Sequence, residues 1–179
     1  HNQTNYDEKT KLHLLLSQLT EKNKDLIFEN ILTIIKINDN LNSLIYKSAI
    51  QQDYYSEIYS KLCVFIRDNI INKNSFEKEI LDFLENFFKC RLEQDVKYQN
   101  YVKFISFLNV NNFISKKIIK ECISNILTNI KNSNINTSEE ITSLYNIYSI
   151  TKILLEPDDR MKLEELSKDK NKIELSKDR

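Results

Sequence analysis

One helical pattern decides the fold of this chain, and it is clearest in residues 115–130, SKKIIKECISNILTNI. The apolar side chains of this stretch stand at Ile119, Cys122, Ile123, Ile126, Leu127 and Ile130. Spacings of three and four residues place them on one face of an α-helix, which repeats every ~3.6 residues. Ser115 precedes the pattern and can cap the helix by accepting a backbone N–H. The stretch therefore predicts an amphipathic helix that packs through one face.

Seven further stretches show the same spacing, and short polar breaks separate them. Their apolar faces are marked by Leu12, Leu16 and Leu19; Ile27, Ile31 and Ile35; Leu41, Ile45 and Ala49; Ile58, Leu62 and Ile66; Phe76, Ile80 and Leu84; Tyr101, Ile105 and Leu108; and Ile141, Leu144 and Tyr148. Because short links force successive helices to pack antiparallel, we expect helix hairpins.

The helix boundaries are predicted from capping residues and from the only proline. Thr20 is expected to cap the second helix and Asp53 the fourth, since both side chains accept backbone N–H groups well. Thr137–Glu140 has the form of a capping box at the start of the eighth helix. We expect that helix to run to about Leu155 and to end before Pro157, because the residue before a proline avoids the α region.

The helix count and the repeat length together predict the architecture. One helix pair occupies about 35–45 residues, the period of HEAT-type repeats. We expect an all-α protein, an α-solenoid of stacked antiparallel HEAT-like hairpins with about eight to nine helices. Residues 1–157 would form this domain and residues 158–179 a charged C-terminal helix or tail. A single compact helix bundle is the structural alternative.

The composition excludes several classes of function. Glycine is absent, so glycine-rich phosphate loops and nucleophile elbows are not expected. Lysine plus arginine and aspartate plus glutamate number 26 each, which does not favour a strongly nucleic-acid-binding surface. The longest apolar runs are too short to span a bilayer, and no signal peptide is visible. We expect a monomeric cytoplasmic protein that does not contact membranes.

No constellation of side chains predicts catalysis. Cys63, Cys90 and Cys122 lack metal-ligand spacing and sit among apolar neighbours, as buried free thiols do. His13 lies beside the apolar face of the first helix, and no nucleophile stands near a base. We therefore expect no enzyme, no metal and no cofactor.

Three stretches carry a resemblance to a known family. They are Leu14–Thr20, the pair Ile45–Ile50 and Ile58–Cys63, and Val102–Leu108. In this order and spacing, the chain resembles the middle domain of eukaryotic translation initiation factor 4 gamma over about residues 9–156. The family is a stack of HEAT-like helix pairs and usually continues into a fifth repeat, which the residues after Pro157 do not match.

The resemblance implies a translation initiation scaffold that binds and stimulates a DEAD-box RNA helicase of the initiation factor 4A type. Family members touch the helicase mainly through hairpin tips and helix ends, and Leu16 and Leu19 match family positions linked to helicase binding. Here the expected partner-binding residues are Lys22, Lys24, Asp25, Gln51, Gln52, Asp53, Tyr54 and Tyr55. Adjacent tyrosines at a tip suit a protein interface.

Three alternatives stay open at this stage. RNA could bind Lys116, Lys117 and Lys120, although three lysines without exposed aromatics between them are more typical of a solvated helix face. Related domains also occur in nuclear cap-binding, splicing and mRNA-decay factors. The third alternative is a generic α-solenoid adaptor with another partner.

Overall fold

A computed structural model describes residues 2–52, 54–89, 98–132, 137–153, 155–165 and 168, without the side chains of residues 2–6, 131, 132 and 137. Within these ranges every regular element is helical, which confirms the all-α class. The elements are α1 (Asn2–Gln18), α2 (Lys24–Ile37), a 3-10 turn (Asp39–Leu41), α3 (Asn42–Gln51), α4 (Ser56–Asn69), α5 (Lys73–Lys89), α6 (Tyr98–Val110), α7 (Lys116–Asn132) and α8 (Thr137–Thr151). A further helical segment covers 157–165.

The even-numbered helices form one continuous layer. Helix α4 packs beside α2, α6 beside α4, and α8 beside α6, and the α6–α8 contact is the most extensive. Among the described residues, the odd-numbered helices contact one another less closely and pack mainly on the even layer. This arrangement is compatible with the α-solenoid of stacked hairpins that the sequence predicts.

A single apolar core runs through the stack from α1 to α8. Its largest fully buried side chains include Leu12, Ile45, Tyr59, Phe76 and Phe104. All five fall on helix faces that the 3.6-residue spacing marks as apolar or adjoin them, because burial selects the residues that face a neighbouring helix. Leu16 and Leu19 also belong to this core, so packing accounts for both.

Without glycine, the α6–α7 turn uses an asparagine in the left-handed conformation. Asn112 has φ 61°, and its N–H donates to the Asn109 carbonyl at 3.0 Å. The next N–H, of Phe113, donates to the Leu108 carbonyl at 2.8 Å. These two bonds make a Schellman motif, which satisfies the last carbonyls of α6. Asparagine tolerates this conformation better than other residues with a Cβ.

Arg67 fastens this turn to the end of α4. Its Nη1 donates to the Asn112 carbonyl at 3.0 Å, and its guanidinium lies 5.2 Å from the centre of the Phe113 ring. Nη1 also lies 3.6 Å from an oxygen of Glu77 at the start of α5. One mostly buried cation therefore joins the end of α4, the start of α5 and the α6–α7 turn, at the edge where the connections between hairpins lie.

The end of α8 differs from the expectation, because the helix stops at Thr151 and does not reach Leu155. Lys152 has φ 57° and donates its N–H to the Tyr148 carbonyl at 2.8 Å, the single bond of a left-handed C-terminal cap. Pro157 stands at the first position of the segment 157–165 and does not terminate α8. Proline suits a first helical position because its missing N–H would lack a partner there anyway.

Other boundaries follow the sequence more closely. Ser115 Oγ accepts the Ile118 N–H at 3.4 Å, so Ser115 caps α7 as expected. Helix α5 begins at Lys73, inside the polar stretch that we interpret as a break, because lysine, asparagine and serine are tolerated in an exposed first turn. Asp53, the Thr137 side chain and most of residues 166–179 lie outside the described residues.

Burial raises the pKa values of both described thiols. Cys63 is fully buried and Cys122 partly so, and desolvation raises the pKa of Cys122 to about 11. A thiol in the unfolded chain has a pKa of about 8.5, so the unfolded chain loses these protons at a lower pH than the folded protein does. The free energy of unfolding therefore declines as the pH rises above this value. We expect the free energy of unfolding to fall by about 1 kcal/mol per thiol between pH ~7.5 and ~9.5.

Urea unfolding at these two pH values measures the decline. In the double variant Cys63→Ala and Cys122→Ala the decline should shrink by about 2 kcal/mol, whatever the variant loses in absolute stability. An unchanged decline would contradict the burial of the thiols.

Candidate partner-binding surfaces

The first hairpin turn, residues 19–23, is held by a reciprocal pair of side chains. The Thr20 N–H donates to Asn23 Oδ1 at 2.7 Å, and the Asn23 N–H donates to Thr20 Oγ1 at 3.3 Å. Asn23 Nδ2 also donates to the Gln18 carbonyl at 2.8 Å. This is the bond pattern of a capping box, but it closes the turn that precedes the helix. Helix α2 begins at Lys24 with Asn23 at its N-cap, so the prediction that Thr20 caps α2 is wrong. The turn presents a defined backbone to a partner.

Glu21 connects the first tip to the second hairpin. Its carboxylate lies 2.8 Å from Lys24 Nζ and 3.7 Å from Lys61 Nζ, and Lys61 reaches Glu57 at 3.5 Å. The hydrogen bond from Lys24 lowers the pKa of Glu21 and raises the pKa of Lys24. The two tips therefore lie side by side at one edge of the stack, since Glu57 and Lys61 belong to the first turns of α4.

The second tip exposes two tyrosines. Tyr54 has 92% of its surface exposed and Tyr55 has 42%. Tyr55 precedes the helix, and its carbonyl accepts the Tyr59 N–H at 3.0 Å, so its backbone begins α4 while its ring remains accessible. Nearby, the Tyr59 hydroxyl donates to Gln52 Oε1 at 3.5 Å.

We call these residues the tip surface: Lys22, Lys24, Asp25, Gln51, Gln52, Tyr54 and Tyr55. Lys22, Asp25, Gln51 and Gln52 are exposed, whereas Lys24 is partly covered and engaged by Glu21. Asp53, which belongs to the same sequence-based set, lies outside the described residues. The arrangement offers an exposed aromatic pair beside mixed charge, which is the composition of a protein interface.

The lysines at the start of α7 lie on a different surface. Lys116 and Lys120 line an open cleft of about 680 Å³ together with Lys152 and Arg160. Lys117 is exposed and does not line the cleft. Two of the three lysines are thus brought to one place, and we call it the cationic cleft.

An acidic residue already engages part of this cleft. Glu156 Oε1 lies 2.9 Å from Lys120 Nζ, and that hydrogen bond lowers the pKa of Glu156. Glu164 lines the cleft as well. An anion that enters would therefore meet Lys116, Lys152 and Arg160 first and compete with Glu156 for Lys120.

Two tyrosines adjoin the cationic cleft. Tyr145 and Tyr148 of α8 are 59% and 45% exposed, and they line a smaller pocket of about 330 Å³. Arg160 and Leu155 line both cavities, so the tyrosines and the cations form one continuous surface. The spacing predicts Tyr148 as a core residue, but α8 presents this face to the segment 157–165, which leaves both rings partly uncovered.

Lys152 and Arg160 escape sequence reasoning for different reasons. Lys152 reaches the cleft because it occupies the left-handed cap, a role that sequence usually assigns to glycine. Arg160 belongs to a stretch that the sequence identifies only as a charged tail. In the structure this stretch folds back, so that Arg160 lines the same cleft as the lysines of α7. Lys152 directly follows Thr151, the last residue of α8, and this position is only a weak signal.

Comparisons with protein-family models, with curated proteins and with solved structures found no match to this chain. No described helix is long and apolar enough to cross a membrane. Within the described ranges, no group of three histidine, cysteine, aspartate or glutamate side chains is placed to hold a metal ion.

Proposed function

We propose that this protein is a non-enzymatic scaffold of translation initiation that binds and stimulates a DEAD-box RNA helicase through the tip surface. The observation that carries the proposal is the almost complete exposure of Tyr54, on the tip next to the hydrogen-bonded turn of the first hairpin. A large aromatic ring that is exposed to solvent gains little from packing, whereas in an interface it contributes strongly to affinity. The resemblance supplies the identity of the partner.

The residues that carry the resemblance support the fold more than the partner. Ile58, Tyr59, Leu62 and Cys63 are all buried, so a hairpin stack needs them whatever it binds. The same holds for Val102, Phe104 and Leu108 on α6. Nuclear cap-binding, splicing and mRNA-decay complexes therefore remain alternative settings for the same fold, as does a generic adaptor.

The scaffold would act by population shift. A helicase with two mobile lobes changes its turnover when a partner binds one lobe arrangement more tightly than the others. The two tips lie on adjacent hairpins, so one rigid surface of the stack is available for such a selection.

The test is the RNA-dependent ATPase rate of an initiation factor 4A type helicase, titrated with the full chain. Saturable stimulation supports the proposal. Binding without stimulation would reduce the protein to an adaptor of the helicase. The absence of both, with the chain shown folded by circular dichroism, would overturn the choice of partner.

RNA binding is a second candidate, and the cationic cleft with its adjoining tyrosines favours it. Single-stranded RNA is bound by cations that follow its backbone and by aromatic rings that stack on its bases. Lys116, Lys152 and Arg160 supply the first of these, and Tyr148 the second. This candidate is compatible with the first, because the two surfaces involve different helices.

We expect the double variant Lys152→Ala and Arg160→Ala to bind a 20-nucleotide oligouridine more weakly. Each lost phosphate contact should reduce the slope of log affinity against log salt by about 0.7. Fluorescence anisotropy between 50 and 200 mM salt measures the slope. The exposed pair Lys73→Ala and Lys78→Ala removes the same charge from α5 and is the control. Equal slopes for both variants would contradict a role for the cleft.

A further inference from the structure

A second cleft lies at the edge of the stack opposite the tip surface. The chain reverses direction in each hairpin, so the α2–α3 and α4–α5 connections lie away from the hairpin turns. Between them is a cleft of about 440 Å³, lined by the end of α2, the 3-10 turn, the end of α4 and the start of α5. We call it the acidic cleft, because it contains Asp39 and Glu79 against the single cation Lys36.

Glu79 is held in a fixed orientation at the wall of the acidic cleft. The Tyr46 hydroxyl donates to Glu79 Oε1 at 2.8 Å, and Asn42 Nδ2 donates to Glu79 Oε2 at 3.2 Å. Burial and the carboxylate both raise the pKa of Tyr46, so the phenol keeps its proton and remains a donor. Since a carboxylate accepts about four hydrogen bonds, Glu79 retains capacity for further donors.

The side-chain oxygen of Asn42 is a hydrogen-bond acceptor without a donor among the described residues. The residue is only 5% exposed and lines the cleft, and its Oδ1 receives no hydrogen bond from any described residue. Exchanging the amide oxygen and nitrogen would not help, because the oxygen would then face the Glu79 carboxylate. This oxygen is itself enclosed, and an unsatisfied buried acceptor is costly. A small rotation of the Asn42 side chain that turns the oxygen toward an N–H donor in the cleft would therefore be favoured.

Part of the remaining lining is apolar, and one of these apolar side chains is fully exposed. Ile35 and Phe76 are buried beneath the cleft and offer contact to methylene groups. Ile71, at the rim, is 99% exposed. A lone exposed isoleucine is common on protein surfaces, but here it stands directly beside a polar cleft, where a bound chain would cover it.

We infer that the acidic cleft binds the side chain of an arginine carried by a partner protein. A guanidinium is planar, always charged, and presents five N–H donors, which suits Glu79, Asp39 and the Asn42 oxygen together. Its three methylene groups suit Ile35 and Phe76. A lysine offers one compact charge and fewer donors in fixed directions. The exposed Ile71 favours a polypeptide over a free small molecule, because it adds apolar contact outside the cleft.

The test uses two probes on the ¹⁵N-labelled full chain: N-acetyl-arginine amide and the blocked tripeptide Leu-Arg-Leu. We expect chemical-shift changes at the amides of residues 39, 42, 75 and 79 with both probes. The tripeptide should bind more tightly, and its counterpart Leu-Lys-Leu about tenfold more weakly than Leu-Arg-Leu. Shifts confined to other parts of the chain would overturn the site.

Substitutions then separate charge from folding. Asp39→Asn at the exposed rim and Glu79→Gln, which keeps an acceptor for Tyr46 and Asn42, should together weaken Leu-Arg-Leu binding at least about tenfold. Glu29→Gln, an exposed carboxylate on α2 outside the cleft, is the matched control. Equal binding by the control and the double variant would refute an arginine site. Ile71→Ser should remove the advantage of the tripeptide over the single residue, and a retained advantage would refute the polypeptide partner.

Discussion

Replacing Phe104 by alanine is expected to lower the free energy of unfolding by about 3–5 kcal/mol. Phe104 is completely buried on α6, the helix that packs against α3, α4, α7 and α8. The substitution removes apolar contacts and leaves a cavity that four surrounding helices cannot all close. Because a domain of this size is stable by only about 5–15 kcal/mol, the loss is a large part of the total.

Chemical unfolding followed by circular dichroism measures this effect. Tyr148→Ala on α8 is the matched control, because it also removes an aromatic ring but from a side chain that is nearly half exposed. Its cost should stay below about 1.5 kcal/mol. If the two variants lost equal stability, α6 would not be the centre of the packing.

Introducing glutamate at both Tyr54 and Tyr55 is expected to weaken helicase binding at least about tenfold, the loss typical of an interface hot spot. The expectation rests on the proposed function. Both rings are accessible, and a carboxylate in their place would be desolvated without a partner in the complex. Titration of the ATPase rate gives the affinity, and it should change while the thermal melting curve stays within a few degrees.

Tyr145→Glu is the control for this variant, because it places the same charge on an exposed tyrosine of α8, far along the chain from the tips. Tyr54→Glu alone tests whether the more exposed ring carries most of the effect. Unaltered affinity in the double variant would remove the tip surface from the proposal and leave the helicase, if it binds, to another face.

The helices themselves are predictable because the solvent-facing and core-facing positions alternate with one period. The core residues of α7, from Ile119 to Ile130, lie where the spacing places them. Caps are less predictable. Ser115 caps α7 as its chemistry indicates, but Thr20 bonds within the turn before α2 and does not cap that helix. Lys152 takes a conformation that costs a residue with a Cβ about 1 kcal/mol.

Pro157 shows why local rules fall short at element boundaries. The rule that a helix ends before proline holds here, but α8 has already stopped at Thr151, six positions before the proline. Pro157 instead opens the next segment. Nothing in the local sequence distinguishes these two cases. The choice is made by the cap at Lys152 and by the return of residues 155–165 to α7 and α8.

The two clefts could not be predicted because each gathers residues from distant elements. In the acidic cleft, Asn42 and Glu79 are 37 positions apart. In the cationic cleft, Lys116 is separated from Lys152 and Arg160 by similar distances along the chain. The tip surface was accessible to prediction, since a hairpin turn brings its own residues together. Its partner stays a prediction, because it rests on the family resemblance.

The continuous even-numbered layer has a mechanical consequence. When the two ends of the chain are pulled apart, the load passes in series through the α2–α4, α4–α6 and α6–α8 contacts. The α2–α4 contact is the least extensive of the three and the α6–α8 contact the most. Under tension the first hairpin would therefore peel away before the others, so the protein would lengthen in steps and keep its C-terminal hairpins together.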